Sequence, residues 1–339
     1  MLEYVDKIRK AKSMSTSKKI NKIENPQPKT LKLIGMTVAP LLVFYIISFI
    51  TYFAALALTI IFATDQVLES ASPVNLYIWH FLFYLGSLIV FPYWYLRLAI
   101  KDQDEFERMS ASAAAFGSTK IKKNISTPRI FALGKESIAK DDTKNKAQKN
   151  TRLKPLAIIL GLILFGAILQ VLVTSAIALL SNAFPGVFSS YIGNIQATSG
   201  NHGILNMLTV ILLGPVAEEF IFRGLSFTYA KKAAQKSLPA IFISAILFAI
   251  FHGNLIQGIY AFLIGLLLAW LVEKTDTLLP SIILHIAING SAFLYPIIFS
   301  GVKKTALNYW IMFGLSLAIC VISFFLYIAG KKKILPHTM

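Results

Sequence analysis

An all-α, polytopic membrane bundle of about eight segments is the fold class this sequence predicts, and three observations carry it. Hydrophobic residues make up 56% of the chain and charged ones only 14%, against about a quarter in soluble domains. The apolar residues are gathered into uncharged runs as long as the roughly 20 residues that a membrane helix needs. The basic residues gather in the tails and loops between those runs: residues 1–32 hold nine Lys/Arg against three acids, and residues 101–154 hold thirteen against seven. A mean hydropathy of +0.65 excludes a soluble globular domain. The formal net charge of +17 therefore reads as a topology signal and not as a footprint for nucleic acid, which is not an expected partner. The single cysteine, Cys320, builds neither a disulfide nor a multi-cysteine metal site within one chain.

Residues 1–32 form a polar, basic tail, too long and too charged for the n-region of a cleaved signal peptide. The first apolar run, 33–63, contains Pro40 and reads as a long tilted helix or one with an interfacial first turn. The second covers 76–100. Between them stand Asp65 and Glu69 but no Lys or Arg, which assigns that connection to the outer face. Residues 101–154 lack any sustained apolar period and read as a cytoplasmic, largely unpacked loop. A third helix spans 155–180, and the polar stretch 185–202, again without Lys or Arg, belongs outside. The fourth runs over 203–230 and ends at Lys231, Lys232 and Lys236. Two segments, 238–251 and 258–272, each fall below a full span and suggest a hairpin inside the bundle around Gly253-Asn254. The seventh, 278–300, and the eighth, 309–328, complete a core of 155–330, followed by a tail at 331–339. This arithmetic places both termini in the cytoplasm and puts Lys303 and Lys304 on the outer side, against the charge rule.

The chemistry is signalled where the membrane rule is broken. Between Lys154 and Lys231 the only formally charged residues are Glu218, Glu219 and Arg223. A carboxylate inside a membrane helix costs about 2.5 to 3.5 kcal/mol on insertion scales, so a pair of them is kept for a reason. At 100° per residue, Glu219 and Arg223 stand on nearly one face and are spaced for an ion pair, while Glu218 points about 100° away. Glu218 has no partner in its own helix, which makes it the candidate general base. Two histidines also lie in apolar segments, His252 and His285, and Asn289 follows His285 at i+4 on the same face. Rough helical depths bring Glu218, His252 and His285 to one level, about 12 to 20 Å from the cytoplasmic ends of their helices. His80, His202 and His337 have neither the spacing nor the company.

Glu218-Glu219-Phe220-Ile221-Phe222-Arg223 reads EExxxR, 248–252 reads FxxxH and 285–289 reads HxxxN, in that order and all in membrane segments. This ordered set resembles the CPBP family of intramembrane proteases, also called Abi or CaaX-processing and bacteriocin-processing enzymes. The resemblance covers about residues 203–295. It implies that Glu218 with His252 activates the hydrolytic water, and that His285 and Asn289 bind a metal or stabilise the oxyanion. It implies equally that the Glu219–Arg223 pair holds the helix. A divalent metal such as zinc on Glu218, His252 and His285 is one version of that chemistry; the linear HExxH signature is absent, and a metal-free Glu/His site needs the same side chains.

The expected activity is thus hydrolysis of a peptide bond near the cytoplasmic face of what the resemblance implies is a bacterial cell membrane. The substrate is a peptide or membrane protein, and the setting is peptide or bacteriocin maturation or self-immunity. Two other classes stand beside it. A non-enzymatic immunity or scaffold protein of the same fold would not need the intact motif set. A proton-coupled transporter would show paired half-helices in two corresponding halves, which the sequence lacks.

Overall fold

The computed structural model describes residues 26–62, 73–115, 127–129, 155–199 and 203–332, and among these residues the chain forms nine helices and no strand. They are α1 (Pro26–Phe62), α2 (Pro73–Ala115), α3 (Pro155–Ala183), α4 (Pro185–Ser199), α5 (Ile204–Ala234), α6 (Ser237–Phe251), α7 (Leu255–Thr275), α8 (Leu279–Ile298) and α9 (Ala306–Lys332). Seven are long and apolar enough to cross a membrane, and α6 is shorter. The protein is a multi-pass helical membrane bundle. The tail before residue 26, most of the 101–154 loop, His202, His337 and the last residues lie outside the described residues.

Helix α5 is central. Half of its most apolar window is buried, against 6% for α3 and α9. Around it stand α1, α2, α6, α7 and α8, with α3 packed behind α8 and α9 behind α3. Small residues set these distances. A methyl group at Gly166 of α3 would lie 2.6 Å from the Ala287 side chain, and one at Gly265 of α7 would lie 3.2 Å from Ala245 of α6. Both pairs pack as closely as bare backbone allows, the usual device where no hydrophobic effect drives membrane helices together.

Three expectations change. The segment 258–272 was read as too short to span, but the helix starts at Leu255, capped by the Asn254 carbonyl oxygen accepting from the amides of Ile256 and Gln257, and reaches 21 residues. The hairpin itself is real: α6 and α7 are antiparallel and turn through Gly253, whose φ of +64° is the left-handed conformation that glycine adopts freely. The polar stretch 185–202, read as a connection outside the membrane, carries a helix over Pro185–Ser199, α4, which sets Tyr191 edge-on to Tyr260 of α7.

The loop read as unpacked begins as the continuation of α2. That helix runs 43 residues, about 65 Å, so its charged last turns project well past a membrane core of about 30 Å. Farther on, Thr127 donates from its amide and hydroxyl to Asp102, and Asp102 also pairs with Lys232. Arg129 exchanges backbone hydrogen bonds with the α7–α8 turn, its amide to Asp276 at 2.9 Å and its carbonyl from Leu278 at 2.8 Å. With the Lys231–Glu273 pair and the Ser237–Glu273 hydrogen bond, these contacts tie α2, α5, α6, α7 and α8 together at one basic end of the bundle. Lys303 and Lys304 lie in the exposed α8–α9 turn at the other end.

Candidate active site

The motif helix is not a regular α-helix. Two stretches of α5, Thr209–Leu213 and Glu219–Ser226, are π-helical, on either side of Gly214–Glu218. Wide turns of this kind cluster at functional sites because they re-aim side chains without ending the helix. In the first, the Gly214 amide bonds to the Thr209 carbonyl, an i→i+5 link. The same register would bring the next carbonyl, Val210, to residue 215, but Pro215 has no N–H to give. That orphaned carbonyl accepts from the Asn289 amide nitrogen at 3.0 Å. Asn289 was expected to serve the reaction centre; in the structure its donor is engaged as a pin between α8 and α5.

The three acidic and basic residues of α5 take the separate places that helical phase suggested. Glu219 and Arg223 are completely buried and pair at 3.0 Å through Oε1 and Nη1. Arg223 also donates from Nη2 to the Gly265 carbonyl of α7 at 3.3 Å and lies 4.3 Å above the ring of Phe248 of α6. One guanidinium thereby joins α5, α6 and α7. Glu218 points elsewhere and keeps a small opening to the surface, with 10% of its side chain exposed. It faces the Nε2 of His285 at 3.6 Å, too long for a hydrogen bond, and the hydroxyl of Tyr84.

His285 is the residue that connects the two carboxylates. Its Nδ1 lies 2.9 Å from Glu219 Oε1, and since an ionised carboxylate only accepts, the proton of that hydrogen bond sits on Nδ1. The tautomer so selected turns Nε2 toward Glu218. His252 is held in the same manner by a different group, its Nδ1 2.7 Å from the Phe248 carbonyl. The Phe248 ring stands between the imidazoles, nearly perpendicular to both at centroid distances of 4.7 and 5.6 Å. The structure therefore gathers Arg223, His252 and His285 around one aromatic ring, joins Glu218 and Glu219 to them through His285 and Arg223, and sets Asn289 one helical turn beyond.

Sequence reasoning missed the Glu219–His285 bond, Tyr84 and the role of Pro215. Nothing in the order of residues marks Tyr84, one of thirteen tyrosines. Pro215 was legible as a residue that deprives an upstream carbonyl of its donor. The metal expected on Glu218, His252 and His285 meets a geometric obstacle: among the described residues no three His, Cys, Asp or Glu side chains are grouped to hold an ion. The donor types of Glu218, His252 and His285 suit zinc. Two apolar cavities, about 480 and 390 Å³, are lined by none of Glu218, His252 and His285; one lies between α6 and α7 and the other among α3, α7 and α9.

Residues 200–291 match the family model Rce1-like, described as type II CAAX prenyl endopeptidase Rce1-like. That segment holds all three motifs, and the match supports an intramembrane endopeptidase of the CAAX-protease type. No curated protein and no solved structure matches the chain.

Proposed function

We propose that the chain hydrolyses a peptide bond with Glu218 as general base, His252 as its partner in holding the attacking water, and His285 as the group that carries the proton and charge across the step. The observation behind this reading is the bridging position of His285, bonded to Glu219 through Nδ1 and turned to Glu218 through Nε2. Glu218 is the one acid of the helix with an outlet, so it takes the proton from water. His252 has Nδ1 committed to a carbonyl, which leaves Nε2 free to position that water. His285 stands next to receive the proton from Glu218 and donate it from Nε2 toward the oxyanion or the leaving amine, while Glu219 keeps the ring oriented and Arg223 balances the charge of Glu219. The logic is that of a base oriented by a third group.

Asn289 acts on this site by holding the π-helical turn ahead of Glu218. The step as written needs no metal: the same side chains serve it alone. The substrate class implied by the family name is a lipidated peptide tail, and maturation of a peptide or bacteriocin, or self-immunity, in a bacterial membrane is the setting that the motif resemblance offers.

Comparative peptidomics of membranes carrying the wild-type chain and Glu218→Ala tests the proposal. Peptides that disappear, with their intact precursors accumulating, are expected in the variant. Identical peptide profiles at equal protein level would leave the non-enzymatic reading in its place.

A further inference from the structure

The three motifs and the family match all lie at or beyond residue 200, yet two helices that precede them, α1 and α2, pack directly on the motif helix. At Tyr84 of α2 the contact is polar. The two oxygens of the Glu218 carboxylate have different neighbours. Oε2 faces the Nε2 of His285 across 3.6 Å. Oε1 lies by Gly214, one turn back on α5, where the helix carries no side chain: a methyl group built there would stand 3.6 Å from Oε1 and 3.5 Å from Cε1 of Tyr84. Glycine thus leaves the carboxylate and the edge of the phenol ring sharing one small gap, and the Tyr84 hydroxyl makes hydrogen-bonding contact with Glu218 across it. An ionised carboxylate only accepts, so the phenol is the donor.

The ring that carries this hydroxyl is fixed on its other sides. Tyr84 is buried, with Phe44 of α1 at a centroid distance of 5.8 Å, Phe83 at 5.2 Å and His80, one turn earlier on α2, at 5.1 Å. The phenylalanines offer the hydroxyl no acceptor; Glu218 does, and buried hydroxyls are kept where they find one. Phe44 also lies edge-on to Phe251 at 5.0 Å, the residue before His252, and the Tyr45 hydroxyl donates to the Phe251 carbonyl at 3.1 Å. One aromatic cluster therefore reaches both members of the water-activating pair: α2 meets Glu218, and α1 meets the last turn of α6, which delivers His252.

We propose that Tyr84 is a positioning residue of the reaction: its hydroxyl donates to Oε1 of Glu218 and fixes the carboxylate so that Oε2, on the His285 side, is the oxygen that takes the proton of the attacking water. The proposal rests on the reading of Glu218 as the general base. The terminal torsion of a glutamate is broad, so an unheld carboxylate would present either oxygen. With one oxygen occupied the rotation stops, and the base is held to the alignment of about 0.5 Å that a proton transfer needs. Tyr84 touches neither water nor peptide and acts through Glu218. It also extends the site to α2, so that residues 200–291 do not complete it.

Tyr84→Phe in the full chain tests this, because the ring and its packing stay and only the oxygen is lost. On a peptide found by the peptidomic comparison, kcat is expected to fall by about 10- to 100-fold with KM changed by no more than about twofold and the unfolding midpoint in detergent nearly unmoved. In the Glu218→Gln background the same substitution is expected to bring no further loss, since the base that it aligns is gone. An infrared readout needs no turnover: in protein labelled with carbon-13 at the glutamate side-chain carboxyl, the band assigned to Glu218 by its loss in Glu218→Gln is expected to shift in Tyr84→Phe. An unshifted band, or an equal loss of rate in the wild-type and Glu218→Gln backgrounds, overturns the inference. A wild-type rate in Tyr84→Phe beside an inactive Glu218→Gln overturns the positioning role alone, whereas full activity of Glu218→Gln overturns the base assignment and the positioning role with it.

Discussion

Two halves of one helix, α5, live by different rules. From residue 217 to 230 every position is buried, with Gly224 packed directly against Tyr95 and an arginine tied to three helices. From residue 204 to 213 most positions are partly or fully exposed, the turns are wide, and Asn289 of α8 bonds to a carbonyl that proline left without a donor. The contrast teaches where stability and chemistry are kept. The sealed half supplies a rigid wall that holds both adjacent carboxylates: Glu219 is completely buried and paired, while Glu218 keeps a small opening to the surface and is the one proposed to react.

The sharpest way to break this comparison is at Glu218. Glu218→Gln keeps the volume and removes the base, so peptidase activity should fall by about 10²–10⁴-fold while thermal unfolding in detergent is unchanged. Full turnover by purified Glu218→Gln, measured on a peptide found by the peptidomic comparison, would remove the distinction between the two acids.

Arg223 tests the sealed side. Arg223→Ala strands the Glu219 carboxylate in a dry core and should cost about 3 to 5 kcal/mol of stability. The double variant Glu219→Ala plus Arg223→Ala should recover part of that loss in the same unfolding measurement. A double variant no more stable than Arg223→Ala would show that His285, and not Arg223, is the partner that matters to Glu219.

Asn289→Ala sharpens the boundary from the other side. It leaves the Val210 carbonyl without its donor and should cost about 1 to 3 kcal/mol. If Asn289 works as a pin, the loss appears in unfolding and in hydrogen exchange around residues 209–214. A loss of rate with no change in either would return Asn289 to the oxyanion role.

Gly265→Ala is the packing control. The added methyl meets Ala245 and Phe248 at 3.2 to 3.3 Å and should destabilise by about 1 to 3 kcal/mol. The smallest effect is expected from metal removal: exhaustive chelation should leave activity intact, with elemental analysis as the independent check. Activity that vanishes with chelation and returns with zinc would show that Glu218, His252 and His285 close on an ion during turnover.

How much of this could be read in advance varies by residue. The membrane class, the order of the long helices and the Glu219–Arg223 pair follow from composition and an i, i+4 spacing, which are local properties of the chain. The hairpin was legible from Gly253-Asn254 and two short apolar runs. Asn289 was placed on one face of α8 with His285, but its bond to a carbonyl 79 residues away was not legible, since that carbonyl becomes available only through the wide turn. The packed part of the polar loop, Thr127–Arg129, carries no apolar signal at all, because it is held by backbone hydrogen bonds and by Asp102.

The sequence by itself determined that this protein is a helical membrane bundle with acids, an arginine and two histidines in places where burial is costly, because hydropathy and charge are read residue by residue. Only the tertiary structure decided which histidine nitrogen meets which carboxylate and which stretch of α5 is sealed. Those facts depend on how far each helix is shifted along its neighbour. Those shifts are set by glycine contacts, two π-helical turns and one proline, and by no single stretch of the chain.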